Sequence, residues 1–203
     1  MDTKDRIMDV ALHMFSARGY EAVSVRDICG EVGIKESTLY YHFKNKKDIL
    51  DSLVLRFKTH IADLLGHIDD IGAGPDEKQR EISENSLLDS YMMDRYLFDP
   101  FCNLMLRFMM MEQFHNEEMR LLYEKTIFSD PYDIQMKIFK MLAPKEAVSE
   151  EEIEWIVRET NAYMTMLTFK YLLNGELNEE RKEAYYRDVH DYMSRKLCGG
   201  PEK

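Results

Sequence analysis

Two short stretches of helical periodicity, joined at a glycine, constrain the fold of this chain most strongly. In residues 25–32 the apolar side chains recur at the spacing of one helix face. Gly33 follows, and glycine readily adopts the positive φ that a sharp turn needs. In the second stretch, residues 35–42, Leu39 shares a face with Phe43, so this face can anchor a helix to a core. The order of short helix, turn and short helix is typical of a helix-turn-helix.

A longer amphipathic helix precedes this pair and can supply the core on which it rests. Asp2 or Thr3 can cap its beginning, and Gly19 is suited to its end. Ser24 is the next expected N-cap, with Asp27 at the third helical position, where an acid complements the helix dipole. The apolar positions of the first helix follow the i, i+3, i+4 pattern: Ile7, Val10, Ala11, Met14 and Phe15.

The face of residues 35–42 opposite the apolar pair is polar and aromatic. Ser37 and Tyr41 lie on the far side of the helix, flanked by Thr38 and Tyr40. Hydroxyl groups can hydrogen-bond to phosphate oxygens and to base edges. The pattern therefore favours a helix that enters the major groove of DNA. An ordinary amphipathic helix with surface tyrosines is the alternative reading of this helix taken alone.

With these features in place, residues 7–57 resemble the N-terminal domain of the TetR/AcrR family of bacterial transcriptional regulators. Departures from the family pattern fall at Cys29, Gly30, Glu36 and Ser37, and they concern the operator sequence more than DNA binding itself. The matching residues are Phe15, Gly19, Tyr20, residues 24–28, Gly33, Ile34, residues 39–43 and residues 46–48.

The resemblance implies an all-α fold with two domains and a DNA contact set. Residues 1–47 would form a three-helix helix-turn-helix DNA-binding domain, and residues 48–203 a larger helical ligand-binding and dimerisation domain. Closest to the bases would lie Lys35, Glu36, Ser37 and Tyr40. The sugar-phosphate backbone would be held mainly by Ser24, Thr38, Tyr41, His42 and Lys46. A partly exposed histidine without a role is the alternative for His42.

Beyond the helix-turn-helix the chain reads as helix throughout. Asn45 is placed to cap a long helix that includes Lys46, and Ser149 with its following acids is a strong N-cap. Asp99 and Pro100 form a further helix start. The expected helices are residues 46–68, 77–97, 101–114, 150–174 and 179–196. The expected breaks are at residues 72–75, 130–131, 143–144 and 174–175.

Charge is divided unevenly along the 203 residues. Residues 1–57 hold nine basic and nine acidic side chains, so the remainder carries the whole net charge of −11. An acidic protein binds nucleic acid poorly unless the acidic part faces away, because phosphate contacts rest on lysine and arginine. The sequence therefore predicts salt-dependent DNA binding by the neutral N-terminal part; solubility is the alternative explanation of the acidity.

Three distant cysteines, Cys29, Cys102 and Cys198, indicate a reducing compartment, since they offer no plausible disulfide framework. The chain shows no apolar leader at its N-terminus and no apolar stretch long enough to span a bilayer. A cytoplasmic location is expected.

A segment rich in soft and aromatic side chains is the candidate ligand pocket. Methionine adapts to varied shapes, and a pocket lined by Met and Phe can hold a hydrophobic ligand; an ordinary helical core is the alternative. The family resemblance implies a small-molecule inducer in this domain, and Glu112 or Asp94 there would favour a cationic one. The candidate lining is Phe98, Phe101, Met105, Phe108, Met109 and Glu112.

The C-terminal pair of helices is the candidate dimer interface. Residues 150–174 are apolar on more than one side, which predicts burial against a partner. By the resemblance, a homodimer would join two such pairs in a four-helix bundle and present two recognition helices to a palindromic operator. A monomer with this helix in its own core is the alternative.

The function expected is therefore a homodimeric repressor that a small-molecule ligand releases from duplex DNA, without cofactor or metal. An enzyme is the rival from another class, and a helical dimeric interaction protein without DNA binding is the second. The enzyme is disfavoured because neither a nucleophile setting such as GxSxG nor a metal-ligand set such as HExxH occurs.

Overall fold

The computed structural model describes residues 2–72, 93–142 and 148–198, and in these ranges every regular element is helical. The fold is therefore all-α, as predicted. The α-helices are α1 (Thr3–Arg18), α2 (Val25–Val32), α3 (Glu36–His42), α4 (Lys46–Gly72), α5 (Pro100–Glu112), α6 (Glu117–Glu124), α7 (Asp130–Leu142), α8 (Glu150–Leu167) and α9 (Glu179–Cys198). Three π-helical segments occupy Met93–Leu97, Lys125–Ser129 and Thr168–Leu173.

Side-chain caps begin five of these helices at the positions that the sequence predicts. Each cap oxygen accepts a hydrogen bond from the backbone N–H three residues later, which satisfies a donor that the first helical turn leaves open. The five caps are Asp2, Ser24, Asn45, Asp99 and Ser149.

Two sequence expectations on helix boundaries are corrected. The predicted break at residues 130–131 is wrong, because the π-helical segment Lys125–Ser129 continues directly into α7. Pro131 is the second residue of α7 and directly follows the junction with the π-helical segment. The expected helix 150–174 is α8 followed by the π-helical segment Thr168–Leu173. The expected helix 77–97 and break 143–144 lie mostly or wholly outside the described residues.

Packing divides the chain into two compact units that are not continuous in sequence. One unit holds residues 1–69 and 104–123, and the other holds residues 70–103 and 124–203. The division differs from the predicted domains 1–47 and 48–203, because residues 104–123 pack with the N-terminal helices. As a functional boundary, the prediction stays a prediction.

The core of the first unit is built from α1, α2 and α3, with contributions from α4 and α5. Phe15 lies at its centre, where its ring is 5.8 Å from that of Phe108. The second unit has its own apolar cluster, in which Phe98 meets the ring of Tyr185 edge-on at 5.6 Å. The other buried members of this cluster are Leu167, Leu172 and Val189.

Two further features concern the thiols and the apolar composition of the helices. The thiols of Cys29 and Cys102 are both free and buried. Among the described helices, none combines the length and the apolar composition that a bilayer crossing requires.

Candidate nucleic-acid interface

Helix α3 is anchored by a narrow apolar stripe and follows a turn that contains a glycine. Leu39 and Phe43 are buried, and α3 packs against both α1 and α2. Gly33 ends α2 with φ +75°, and its N–H donates to the carbonyl of Cys29 at 2.9 Å. A left-handed residue here lets the chain turn sharply into α3, as the sequence predicts. The remaining side of α3 is free for a partner.

The outward face of α3 carries most of the predicted DNA contacts. Tyr41 is 85% exposed and Tyr40 is 50% exposed, which is unusual for large aromatic side chains. The ring of His42 meets that of Tyr41 edge-on at 5.1 Å. The other predicted base-contacting residues, Lys35, Glu36 and Ser37, are also exposed, while Thr38 and His42 are half-buried. The geometry therefore places hydroxyl, ammonium and carboxylate groups on one accessible surface.

Ser24 is exposed, but its hydroxyl already takes part in the cap of α2. The hydroxyl donates to Asp27 Oδ2 at 2.7 Å and accepts from the Asp27 N–H at 3.1 Å, and the Ser24 N–H also donates to Oδ2 at 2.8 Å. These bonds from the Ser24 hydroxyl and backbone hold the pKa of Asp27 below its usual value. A phosphate contact through the hydroxyl hydrogen would replace the bond to Asp27.

Lys46 is half-buried and engaged with the loop between α1 and α2. Its Nζ donates to the carbonyls of Tyr20 at 2.8 Å and Val23 at 2.9 Å, and lies 4.0 Å from the centre of the Tyr20 ring. An ammonium has three hydrogens, so one is left for an anion. Asn45 caps α4, which places the backbone N–H groups of the first turn beside Lys46. The predicted phosphate contact by Lys46 thus combines with a structural role that the sequence did not reveal.

Other charges near α3 are partly compensated. Lys35 and Lys44 are exposed, whereas Lys47 donates to Asp51 at 2.7 Å. An exposed pair of this kind contributes little to stability, so a phosphate can compete for the lysine. Lys35 and Lys44 therefore offer two exposed ammonium groups beside α3.

The six predicted ligand-contacting residues fall in two different units. Phe98 and Phe101 belong to the second unit, where Phe98 is buried against α9 and Phe101 is half-buried. Met105, Phe108 and Met109 are buried in the first unit. Glu112 accepts a hydrogen bond from the N–H of Tyr20 at 2.8 Å.

The contact between Glu112 and Tyr20 is the feature that sequence reasoning missed. The two residues are 92 positions apart, and neither periodicity nor capping patterns relate positions at that distance. Only the approach of α5 to the end of α1 brings them together.

Comparison with known proteins assigns the N-terminal segment. Residues 7–53 match the family model described as bacterial regulatory proteins of the tetR family. The biofilm operon icaADBC HTH-type negative transcriptional regulator IcaR of Staphylococcus aureus (strain Newman) is 45% identical over 51 residues. That match covers 25% of this chain and 27% of the relative, so it concerns the N-terminal helix-turn-helix segment alone.

Solved structures extend the likeness to the fold of nearly the whole chain. A transcriptional regulator from Saccharomonospora viridis, crystallised in complex with choline, matches with a TM-score of 0.62 at 20% identity, covering 94% of this chain and 95% of that one. The TetR family transcriptional regulator PfmR from Thermus thermophilus matches with a TM-score of 0.58 at 22% identity, covering 100% and 99%. Residues 7–53 therefore match the N-terminal domain of the tetR family in sequence, and the likeness over the rest of the chain is one of fold.

Proposed function

We propose that this protein is a cytoplasmic, homodimeric transcriptional repressor that reads a palindromic DNA operator through α3 and is released by a small-molecule ligand. The observation that carries the DNA-binding part is the exposed polar and aromatic face of α3. Tyr40 and Tyr41 stand out from a helix whose opposite side is anchored by Leu39 and Phe43. This is the surface of a recognition helix, and it lies inside the segment that matches the family model.

Within this proposal the nine residues predicted to contact DNA form two groups, those near the base edges and those near the sugar-phosphate backbone. Lys35, Glu36, Ser37 and Tyr40 are exposed at the start and outer side of α3, where base edges would lie. The residues that would contact the sugar-phosphate backbone are Ser24, Thr38, Tyr41, His42 and Lys46. Affinity would come from the phosphates and discrimination from the base edges.

Repression and a palindromic operator are inferred from relatives and symmetry. The Staphylococcus aureus relative is named a negative transcriptional regulator, which supports a repressor. A two-fold dimer binds two half-sites related by the same symmetry, so the operator should be a near-palindrome.

An exposed apolar face of α8 supports dimerisation through the C-terminal helices. Trp155 is 60% exposed and Met166 is 47% exposed. The two residues are eleven positions, or about three helical turns, apart, so they lie on one face. On the opposite side of α8, Ile153 and Val157 are buried within the second unit. Large apolar side chains left exposed on one helix face suit a symmetric partner.

A ligand in the larger helical region would act by shifting populations. A ligand releases DNA only to the extent that it binds the DNA-incompetent state more tightly, typically by ~1–3 kcal/mol. The methionine and phenylalanine side chains of α5 favour an apolar ligand surface. The Saccharomonospora viridis regulator in complex with choline shows that this fold can hold a small organic cation.

The first experiment measures binding of the full chain to the DNA upstream of its own gene at two salt concentrations. The variant is Tyr40→Ala/Tyr41→Ala, because both side chains are exposed and their loss should leave folding intact. Phe114→Ala, another exposed aromatic position, is the matched control. We expect tight, salt-sensitive binding that the control keeps and the double variant loses.

The DNA-binding proposal fails if the folded wild-type protein selects no fragment, either from this region or from fragmented genomic DNA. It also fails if the double variant and the control bind DNA equally well.

A further inference from the structure

A carboxylate from α5 reaches into the helix-turn-helix domain. Glu112 Oε1 accepts a hydrogen bond from the backbone N–H of Tyr20 at 2.8 Å. Tyr20 lies in the loop between α1 and α2, and both residues belong to the first compact unit. Glu112 lies outside residues 7–53, the segment that matches the family model. A residue outside the family's DNA-binding segment thus holds a backbone group inside it.

The end of α1 is shaped for this close approach. Gly19 has φ +80° and ψ +159°, a conformation that is essentially restricted to glycine. A Cβ atom at this position would lie 3.3 Å from Glu112 Oε1, so the carboxylate uses the space that glycine leaves. The ring of Phe15 contacts those of Tyr20 at 5.3 Å and Phe108 at 5.8 Å. Aromatic packing and the hydrogen bond therefore hold α5 against the same loop.

The other side of the loop is held by Lys46. Its ammonium bonds the carbonyls of Tyr20 and Val23 and lies over the Tyr20 ring. The peptide groups of Tyr20 are thus held from two sides, by a carboxylate on its N–H and by an ammonium on its carbonyl. Ser24 follows Val23 and begins α2, which packs against α3. The position of the loop consequently sets where α2 starts and how Lys46 is presented.

The charge of Glu112 is what makes this contact effective. A hydrogen bond to an ionised acceptor is roughly twice as strong as a neutral one. Removal of the acceptor would leave the Tyr20 N–H unmatched in a half-buried loop, which costs more than the loss of an exposed contact.

We propose that Glu112 is a positioning residue for DNA binding. It fixes the loop between α1 and α2, and through Lys46 and α2 it keeps the predicted phosphate contacts and α3 in their binding geometry. The proposal rests on the proposed DNA-binding function. It assigns to Glu112 a role in the DNA-binding domain, whereas its sequence pattern suggested a contact to ligand.

The test compares Glu112→Ala and Glu112→Gln with wild type in the full chain. Glu117→Gln is the matched control, because Glu117 is exposed in the same unit and its carboxylate pairs with Arg120 on its own helix. Three quantities are measured: hydrogen exchange of the Tyr20 amide without DNA, the dissociation constant for the selected DNA at two salt concentrations, and the denaturant midpoint of unfolding.

We expect Glu112→Ala to speed exchange of the Tyr20 amide by about tenfold or more, the equivalent of losing one charge-assisted hydrogen bond. DNA binding should weaken by roughly tenfold with an unchanged salt dependence, because the same phosphate contacts form in the complex after the loop is reordered, at a cost in affinity. Glu112→Gln should recover part of both effects, since its amide oxygen can accept the same bond without the charge. The control should match wild type.

Each contrary outcome is distinguishable. Unchanged Tyr20 exchange in Glu112→Ala, with wild-type DNA affinity, overturns the positioning role alone. Faster exchange with unchanged affinity also overturns it, because the loop would then not matter for DNA. If Glu112→Gln behaves like Glu112→Ala while both variants keep the wild-type unfolding midpoint, the hydrogen-bond argument fails. Absence of DNA binding by wild type overturns the proposed function, and the exchange measurement still reports on the contact itself.

Discussion

Asp27 makes a contact at the start of α2 that depends on its ionisation. Its Oδ2 accepts from both the hydroxyl and the backbone N–H of Ser24, which fixes the start of α2. These hydrogen bonds favour the charged carboxylate and lower its pKa in the folded state. Because the folded-state pKa is lowered, the ionised carboxylate stabilises the protein at pH values above the unfolded-state pKa. This stabilisation is lost as the pH falls through the folded-state pKa.

We therefore expect the cap of α2 to weaken in acid, and Asp27→Asn to be less sensitive. The denaturant midpoint of wild type should exceed that of Asp27→Asn at neutral pH, and the difference should shrink as pH falls below about 4, the ordinary pKa of an aspartate. Unfolding curves for both proteins across this range test the expectation. Parallel pH profiles would contradict the role of the charge.

At the scale of the element, one side of α3 packs into the core, and the other side is the surface proposed to contact DNA. Leu39 is fully buried between α1 and α2, whereas Tyr41 is almost fully exposed two positions later. A seven-residue helix is too short to be stable by itself, so its conformation depends on the buried side. The residues on the exposed side are then not needed for folding and can serve DNA binding.

Substitutions on the two sides should therefore have opposite signatures. Leu39→Ala should lower the free energy of unfolding by about 2–5 kcal/mol, since it leaves a cavity in the core. Tyr41→Ala should change this free energy by no more than about 0.5 kcal/mol but weaken DNA binding. Urea unfolding and a binding titration on the same samples separate the effects. Equal destabilisation by the two changes would refute this division.

At the scale of the whole molecule, the placement of charge and apolar surface shapes its associations. The N-terminal 57 residues are neutral while the rest carries the net charge of −11. Long-range repulsion from DNA therefore arises outside the helix-turn-helix, and added salt will weaken this repulsion as well as the phosphate contacts. The exposed apolar face of α8 offers a second kind of association, between copies of the chain.

Charge placed on that face should separate the proposed dimer. We expect Trp155→Glu/Met166→Glu to sediment as a monomer at concentrations where wild type is a dimer, because a symmetric interface would bring the new carboxylates of both copies together. Phe114→Glu places a charge on an exposed aromatic position of the other unit and is the control. A monomeric wild type, or a variant that stays dimeric, would rule out this interface.

Local interactions explain why so much of the first four helices could be predicted. The caps at Asp2, Ser24 and Asn45 each join groups three residues apart, and a glycine at position 33 is favoured by the positive φ of that residue itself. Such features depend on neighbours in the chain, and the sequence displays them directly. The same holds for the exposed face of α3, because burial of Leu39 and Phe43 leaves the opposite side outward.

The sequence by itself thus determined the all-α class, the helix-turn-helix and the residues presented by α3. Tertiary structure alone decided two sets of contacts: the hydrogen bond of Glu112 with the Tyr20 N–H, and the hydrogen bonds of Lys46 with the carbonyls of Tyr20 and Val23. These bonds join residues between 23 and 92 positions apart. It also decided that the chain runs from a π-helical segment into α7 at Asp130. Proline permits either a break or a first helical turn, and only the packing of the surrounding helices selects between them.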